Sequence, residues 1–496
     1  MPPSIDTSSS DNSIARQTVG GSLYSVAASA ITLSLGFLRA VLMARLLLPA
    51  HFGVATLALF YLSLASQLRA VGVDSALIHR KEVDDDVLAT YFVMRMGQIA
   101  VSVVVVLALI PLLGYLHPDV PLLPSVLLAY VAIGVVKGFN GVQTTILSKR
   151  MAFRQLALTD VASSVAMTVV GPSLAWMGFG VWSIVAEMGS GMLSRAVGIW
   201  LLYRPWRPRV GWDQSIARWF WNYGIKLWVT GNVTFLLDRF DDWWVGTFLG
   251  ANPLGFYSRA FEFARYPRRA IANPILSVFF PAFAQLQDDR PRLSRAFFRP
   301  TSLMVRAGGL LSVVFVSIAP EFIQLLLGEK WMPMLFTFQL MIVYTLFDPL
   351  VMAASNLLAA TGHPELIARA RITQAFIFVP AVLLLGPRLG IDGVALAADL
   401  MVLSGAILLF RNTGRVVDYS QRALWLWPMV AVFVTFGTVL ALAPFWATLT
   451  LWLSLVTKVV LVATIYVGLL WVAERRQLLA GWGMIWGLVR ELRKVK

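Results

Sequence analysis

Apolar stretches of about 20 to 30 residues, parted by short polar connections, follow one another along nearly the whole chain, each the length of a membrane-spanning helix. Six runs fall at 21–46, 53–76, 88–115, 121–147, 155–177 and 181–203. Six more fall at 219–249, 254–285, 299–327, 333–360, 366–386 and 391–411, and a final pair at 423–446 and 450–473. Runs of this length are too long for buried strands. The pattern predicts an all-α polytopic membrane protein of about fourteen transmembrane helices, with no room for a large soluble domain.

Two of these runs break the pattern. The run at 219–249 contains Lys226, Asp238, Arg239, Asp241 and Asp242, and the run at 254–285 contains Arg259, Glu262, Arg265, Arg268 and Arg269. Read as one helix each, Asp238, Asp241 and Asp242 share one side, and Arg259, Glu262, Arg265 and Arg269 share about a third of a face. An ionisable group at bilayer depth costs about 2.5–3.5 kcal/mol on insertion scales, so this many must pair, snorkel, or line a water-filled route inside a helix bundle. Pro267 and Pro349 are candidate hinges within their helices.

Charge in the connections sets the orientation. Alternate loops carry Arg80 and Lys81; Lys149, Arg150 and Arg154; Arg204, Arg207 and Arg209; Arg290, Arg292 and Arg295; Arg369 and Arg371; and Arg411, Arg415 and Arg422. The intervening loops carry little beyond Arg45, Lys330 and Arg388. That asymmetry places both termini in the cytoplasm and agrees with an even number of spans. It also explains the net charge of +15 without nucleic acid as a partner. A mean hydropathy of +0.73 fits the membrane reading. With no cysteine there is no disulfide, thiolate nucleophile or Cys metal site. His51, His79, His117 and His363 are scattered without metal spacing, so no cofactor is expected.

The chain repeats itself. Residues 46–54 resemble the segment around 249–256, with Gly53 matching Gly255 at an offset of 202 residues. Residues 178–181 resemble 390–394, with Gly180 matching Gly393 at an offset of 213. Two six-helix lobes follow, 19–203 and 218–412, running in the same direction and leaving a central cavity between them. Residues 204–217, broken by Pro205 and Pro208, form a cytoplasmic linker. Helices 13 and 14 occupy 413–474 outside the repeat. Residues 1–18, Ser- and Asp-rich and without the basic start of a signal peptide, are expected as a disordered cytoplasmic tail. Residues 475–496 read as a basic amphipathic helix lying on the anionic inner leaflet, with membrane lipids as its partners.

Several segments carry a family resemblance: Ala44-Arg-Leu-Leu-Leu-Pro-Ala-His-Phe-Gly53, Ser75-Ala-Leu-Ile-His-Arg-Lys81, Val245-Gly-Thr-Phe-Leu-Gly250, Leu254-Gly-Phe-Tyr-Ser-Arg-Ala260, Phe280-Pro-Ala-Phe283 with Leu286-Gln-Asp-Asp289, and Gly328-Glu-Lys-Trp331. In this combination the chain resembles bacterial polysaccharide and lipopolysaccharide exporters, most closely the colanic-acid-exporter group, of the multidrug/oligosaccharidyl-lipid/polysaccharide flippase superfamily. The resemblance implies a non-enzymatic flippase of the bacterial cytoplasmic membrane. It would move a lipid-linked oligosaccharide, usually on undecaprenyl pyrophosphate, outward by alternating access, beside glycan polymerase and glycosyltransferase machinery. Gly53, Gly250, Gly255 and Tyr257 match its motif positions. Asp241 stands where its aspartate is expected, although this chain has Arg239 and Asp242 where the family usually has Asn nearby, and His51 where an acidic residue is frequent.

Arginine suits a pyrophosphate cargo, because its planar fork stays charged and can donate two parallel hydrogen bonds. Arg39, Arg259, Arg265 and Arg269 are therefore the candidate headgroup-binding set, against the plainer reading that Arg268 and Arg269 end a helix near the inner leaflet and Arg259 pairs with Glu262. Asp238, Asp241 and Asp242 are the candidate site for H+ or Na+ coupling, since crowded carboxylates raise at least one pKa; structural pairing with Arg239 is the alternative. Arg95, Lys137, Glu187, Arg195, Asp348 and Asp399 read as inter-helix pairs or interfacial residues. A drug/cation antiporter is the alternative within the superfamily. A glycan polymerase or ligase is a third reading, opposed by outer connections as short as Trp176–Val181 and Gly250–Pro253.

Overall fold

The computed structural model describes residues 7–69, 72–203, 205–276 and 279–494. Side chains are described between Ala27 and Gln477, apart from residues 68–69, 226–227, 229–231, 270–271, 274–275, 281 and 476. The protein is all-α and polytopic, with no strand among the described residues. Two compact units divide it, Met1–Asn252 and Pro253–Lys496.

The first unit contains α1 (Thr7–Leu46), α2 (Pro49–Arg69), α3 (Val73–His79), α4 (Asp85–Leu116), α5 (Leu123–Lys149), α6 (Phe153–Trp176), α7 (Val181–Ala196) and α8 (Gln214–Trp244). Helices α7 and α8 each run on into a π-helical turn, Val197–Tyr203 and Val245–Leu249. The boundary falls inside α9 (Ala251–Ala264). The second unit continues with α10 (Tyr266–Leu276), α11 (Phe279–Gln285), α12 (Arg290–Ser317), α13 (Ala319–Phe322), α14 (Leu335–Ala360), α15 (Pro364–Leu389), α16 (Ile391–Thr413), α17 (Gln421–Ala441), α18 (Ala443–Trp446) and α19 (Leu451–Lys494).

Eleven helices among the described residues are long and apolar enough to cross a membrane. Their outward faces carry large exposed apolar side chains, such as Val104 and Leu107 on α4, Phe376 and Leu384 on α15 and Phe433 on α17, as a lipid-facing surface requires. The other three expected spans are those with charges or interruptions: α7 with its π turn, α8, and the stretch from Ala251 to Gln285. Polar side chains set several helix starts. Asp84 accepts from Val87 N at 2.8 Å, Asp213 from Ser215 N at 2.7 Å, Asp289 from Arg292 N at 3.0 Å and Ser420 from Ala423 N at 3.2 Å, each satisfying an N–H that the first helical turn leaves open.

Four local features depart from the plain pattern of apolar runs. The backbone of residues 7–18 is helical as the start of α1, since helix propagates readily from an established apolar segment; residues 1–6 lie outside the described residues. The run at 254–285 is not one helix. It breaks at Arg265, two residues before Pro267, whose missing N–H and ring are incompatible with continuing the α9 ladder. Pro349, by contrast, lies inside an unbroken α14. Third, α8 packs within the first unit: Ile216 and Phe220 join Val73, Leu77, Leu88, Tyr91 and Ile146 in one core. The segment before it is fastened there too, with Trp206 O accepting from Gln143 Nε2 at 2.7 Å and Pro205 O from Arg150 Nη1 at 2.9 Å. Fourth, the repeat's second glycine match shifts by three residues. Gly180 (φ 57°, ψ −129°) precedes α7 as Gly390 (φ 61°, ψ −138°) precedes α16, so these two share one conformation that favours glycine. Gly393 instead packs against α15, where a Cβ would lie 2.3 Å from Leu385 O.

The basic tail remains helical backbone to Lys494, with an interruption at Glu474; its side chains beyond Gln477 lie outside the described residues, as do Arg204 and the side chain of Lys226.

Gly53 explains its place in the motif by contact. A Cβ there would stand 1.7 Å from the carbonyl oxygen of Ala251, and backbone cannot rotate away as a side chain can. Gly53→Ala is expected to lower stability by about 1–3 kcal/mol, measured as the thermal unfolding midpoint in detergent. Gly97→Ala in α4, which meets nothing within 4 Å, should hold or raise it. Equal midpoints for the two variants would remove the close approach as the reason for this glycine.

Candidate functional site

In the first unit, Arg39 on α1 places Nε 2.7 Å from Glu187 Oε1 on α7, with the two side chains 19% and 16% exposed. Gly171 on α6 makes room, since a Cβ there would lie 2.9 Å from that of Glu187. The Nη1 of Arg39 is buried with no acceptor among the described residues. Arg195 Nη1 pairs with Asp160 at 2.5 Å between α7 and α6, and Arg95 with Asp74 at 3.3 Å between α4 and α3. Asp74 also accepts from Tyr91 Oη at 2.6 Å.

The three aspartates of α8 do not share one environment. Asp242 is buried and pairs with Arg239 at 3.0 Å; Asp241 is half-buried and Asp238 exposed. No group of three or more histidine or acidic side chains that could hold a metal ion is present among the described residues.

In the second unit the basic residues gather around one carboxylate. Arg259 pairs with Glu262 along α9 at 3.0 Å, which the i, i+3 spacing anticipates. Arg265 sits in the break after α9, its guanidinium 5.0 Å from the centre of the Phe261 ring. Its Nε is buried without an acceptor among the described residues. Arg268, in the first turn of α10, pairs with Asp348 of α14, both 14% exposed, and places Nη2 3.0 Å from Met352 Sδ. Arg269 lies 5.5 Å from the centre of the Tyr266 ring. Asp348 also feels the charges of Arg265 and Arg371, and Arg265 those of Arg268 and Arg269. Three arginines, Arg265, Arg268 and Arg371, thus act on a single aspartate, with Arg269 acting on Arg265, leaving an excess of positive charge in a partly buried setting where Coulomb interactions are stronger than in water.

A small cavity beside the Arg268–Asp348 pair is lined by Pro267, Met304, Thr345 and Pro349 and holds ≈ 40 Å³. That is room for a water or two and not for a sugar.

Of the headgroup candidates, Arg265 and Arg269 come together, Arg259 is committed to Glu262, and Arg39 belongs to the separate first-unit pair. Arg371, expected in a loop, lies within α15 and acts on Asp348. Glu187, Arg195, Arg95 and Asp348 are inter-helix pairs as expected. Lys137 is exposed on α5, and Asp399 is buried on α16 with Oδ1 lacking a donor among the described residues. The motif residues are structural: Gly250 (φ 95°) closes the turn between α8 and α9, and Gly255 and Tyr257 are buried.

A family profile described as "Polysaccharide biosynthesis protein" matches residues 42–336. The lipopolysaccharide biosynthesis protein WzxC of Escherichia coli (strain K12) is 28% identical over 435 residues, covering 84% of this chain and 85% of its own. The succinoglycan biosynthesis transport protein ExoT of Rhizobium meliloti (strain 1021) is 24% identical over 313 residues, 62% of each chain. Among solved structures, the lipid II flippase MurJ in an inward closed conformation matches with a TM-score of 0.71 at 14% identity, over 91% of this chain and 99% of that one; this likeness bears on the fold alone.

Proposed function

Given that the chain belongs to the polysaccharide biosynthesis protein family, we propose that it is a flippase carrying a lipid-linked oligosaccharide, with undecaprenyl pyrophosphate as the lipid, across the bacterial cytoplasmic membrane. It works by alternating access, with about fourteen spans and both termini in the cytoplasm. The observation that carries the reading is the gathering of Arg265, Arg268 and Arg371 around Asp348, with Arg269 acting on Arg265. An anion is the missing counterpart of such a group, and a pyrophosphate offers the oxygens that arginine forks bind. Arg268 is already neutralised by Asp348, so Arg265 and Arg269 are the members that meet the cargo. Arg39, whose buried Nη1 has no acceptor among the described residues, is a second candidate contact. The names of the relatives, a lipopolysaccharide biosynthesis protein and a succinoglycan biosynthesis transport protein, support a polysaccharide cargo over a drug.

The test is the leaflet distribution of labelled lipid-linked oligosaccharide in cells depleted of the protein. Accumulation in the inner leaflet, reversed by restoring the wild-type chain, is the expected result. Undiminished appearance in the outer leaflet would transfer the role to another protein and bring the drug/cation antiporter forward. Asp241→Asn in the same assay probes coupling: if a proton moves through this carboxylate, flipping should lose its dependence on the pH gradient.

A further inference from the structure

The first unit contains a basic and aromatic cavity that the cargo cluster does not involve, at the end of α3 and the start of α8. It holds ≈ 450 Å³ and is lined by His79, Arg80, Lys81, Ser215, Ile216 and Trp219, within the size range of small-ligand sites. Among the described residues no carboxylate lines it. The nearby Asp213, whose charge interacts with that of Arg80, caps α8, its Oδ1 accepting from Ser215 N, Ser215 Oγ and Ile216 N at 2.7, 2.5 and 3.0 Å.

The cations here are mounted on a fixed platform. Lys149 of α5 reaches under the end of α3 and donates to the carbonyls of Leu77 at 3.1 Å, Ile78 at 3.2 Å and Arg80. It thereby satisfies carbonyls that a helix end leaves open and holds the chain that carries Arg80 and Lys81. On the other side a column of flat groups forms. His79 stacks on Tyr223 at 5.1 Å, Tyr223 on Trp219 at 5.8 Å, and the Arg80 guanidinium lies 5.1 Å from the centre of a Trp219 ring. Arg80 spends Nε on Glu82 O at 3.2 Å; among the described residues neither of its Nη groups, nor the Lys81 ammonium, has a protein acceptor. Loop charges that serve only to orient a membrane protein need neither a carbonyl-fastened backbone nor a stacked wall.

We propose that this cavity binds a lipid-borne phosphate at the inner-leaflet interface, with Arg80 and Lys81 as its donors and Trp219 as the wall against the glycerol or prenyl part. The choice of a lipid-borne rather than a soluble phosphate rests on the aromatic column, since Trp and Tyr concentrate at the headgroup level, and on the orientation that places residues 80–81 toward the anionic leaflet. It does not depend on what the protein flips.

Two lipids share this chemistry, and the test separates them. Full-length protein in neutral detergent is titrated with dihexanoyl phosphatidylglycerol in one arm and farnesyl pyrophosphate in the other. Arg80→Gln with Lys81→Gln is compared with Arg207→Gln plus Arg415→Gln, which removes the same charge from other loops. Each variant is first checked for a wild-type unfolding midpoint. Loss of at least ~10-fold in affinity for phosphatidylglycerol in the first double variant, and little in the second, supports a site for membrane phospholipid. The same loss confined to farnesyl pyrophosphate supports a site for a carrier lipid. Equal losses in the two double variants, for both probes, overturn the proposal. A first double variant that does not fold would overturn it as well, since these side chains would then be structural.

Discussion

Replacing Arg306 with methionine is expected to cost about 3–5 kcal/mol of stability, because it strands a buried glutamate. Arg306 on α12 is 5% exposed, and the side chain of its partner Glu474 on α19 is 3% exposed. Its Nε and Nη2 donate to Glu474 Oε2 at 3.0 and 2.6 Å, Nη1 to Ser302 O at 3.0 Å and Nη2 to Ala423 O at 3.1 Å, with Ser302 Oγ and Gln477 Oε1 as further partners. One guanidinium therefore joins α12, α17 and α19, the last two being helices that lie outside the sequence repeat. Methionine would fill much of the volume but leave Glu474 without its countercharge or its hydrogen bonds. The unfolding midpoint in detergent should fall, with much lower yield from membranes. Arg306→Met combined with Glu474→Leu should recover most of the loss, because an apolar pair of similar volume often replaces a buried ion pair at little cost. If the double variant is no better than the single one, the hydrogen bonds to Ser302 and Ala423 rather than the charge pair hold these helices together.

A second buried pair has the same design. Glu321 Oε1 accepts from Lys458 Nζ and Ser454 Oγ, each at 2.6 Å. Lys458 lies about two turns into α19, where composition alone would place an apolar residue. Neither pair is legible from the sequence, and the reason is their separation of 168 and 137 residues. What could be read were local relations: the apolar lengths of the helices, and the pairs Arg239–Asp242 and Arg259–Glu262, fixed by helical spacing. The motif glycines were visible as a pattern, but their reason was not, because the contact of Gly53 with Ala251 exists only after α2 and α9 have packed. The same applies to α8. Its position in the repeat assigns it to the second lobe, whereas Ile216 and Phe220 bury themselves among α3, α4 and α5. At Arg265 the proline that breaks the helix is in plain sight; what needs the structure is that the break brings this arginine within reach of the charges on α10 and α14.

Arg265→Ala is expected to reduce flipping by about 10- to 100-fold, the value of one charge-assisted hydrogen bond to a phosphate oxygen, while leaving the folded protein intact. Arg265 has no salt-bridge partner among the described residues, and its guanidinium rests on the Phe261 ring with Nε buried and without an acceptor. Removing it therefore leaves no carboxylate stranded and relieves repulsion from Arg268 and Arg269. Arg268→Ala makes the informative contrast. It strips the buried Asp348 of its partner, so its first effect should fall on abundance and unfolding midpoint, and Asp348→Asn in the same chain should restore both. Arg265→Lys keeps the charge but not the planar fork, and should recover only part of the activity. The measurement is the initial rate of appearance of labelled lipid-linked oligosaccharide in the outer leaflet, normalised to folded protein in the membrane. A wild-type rate for Arg265→Ala would remove this residue from the cargo path and leave the cluster around Asp348 as a structural network, as would an Arg265→Ala chain that fails to fold.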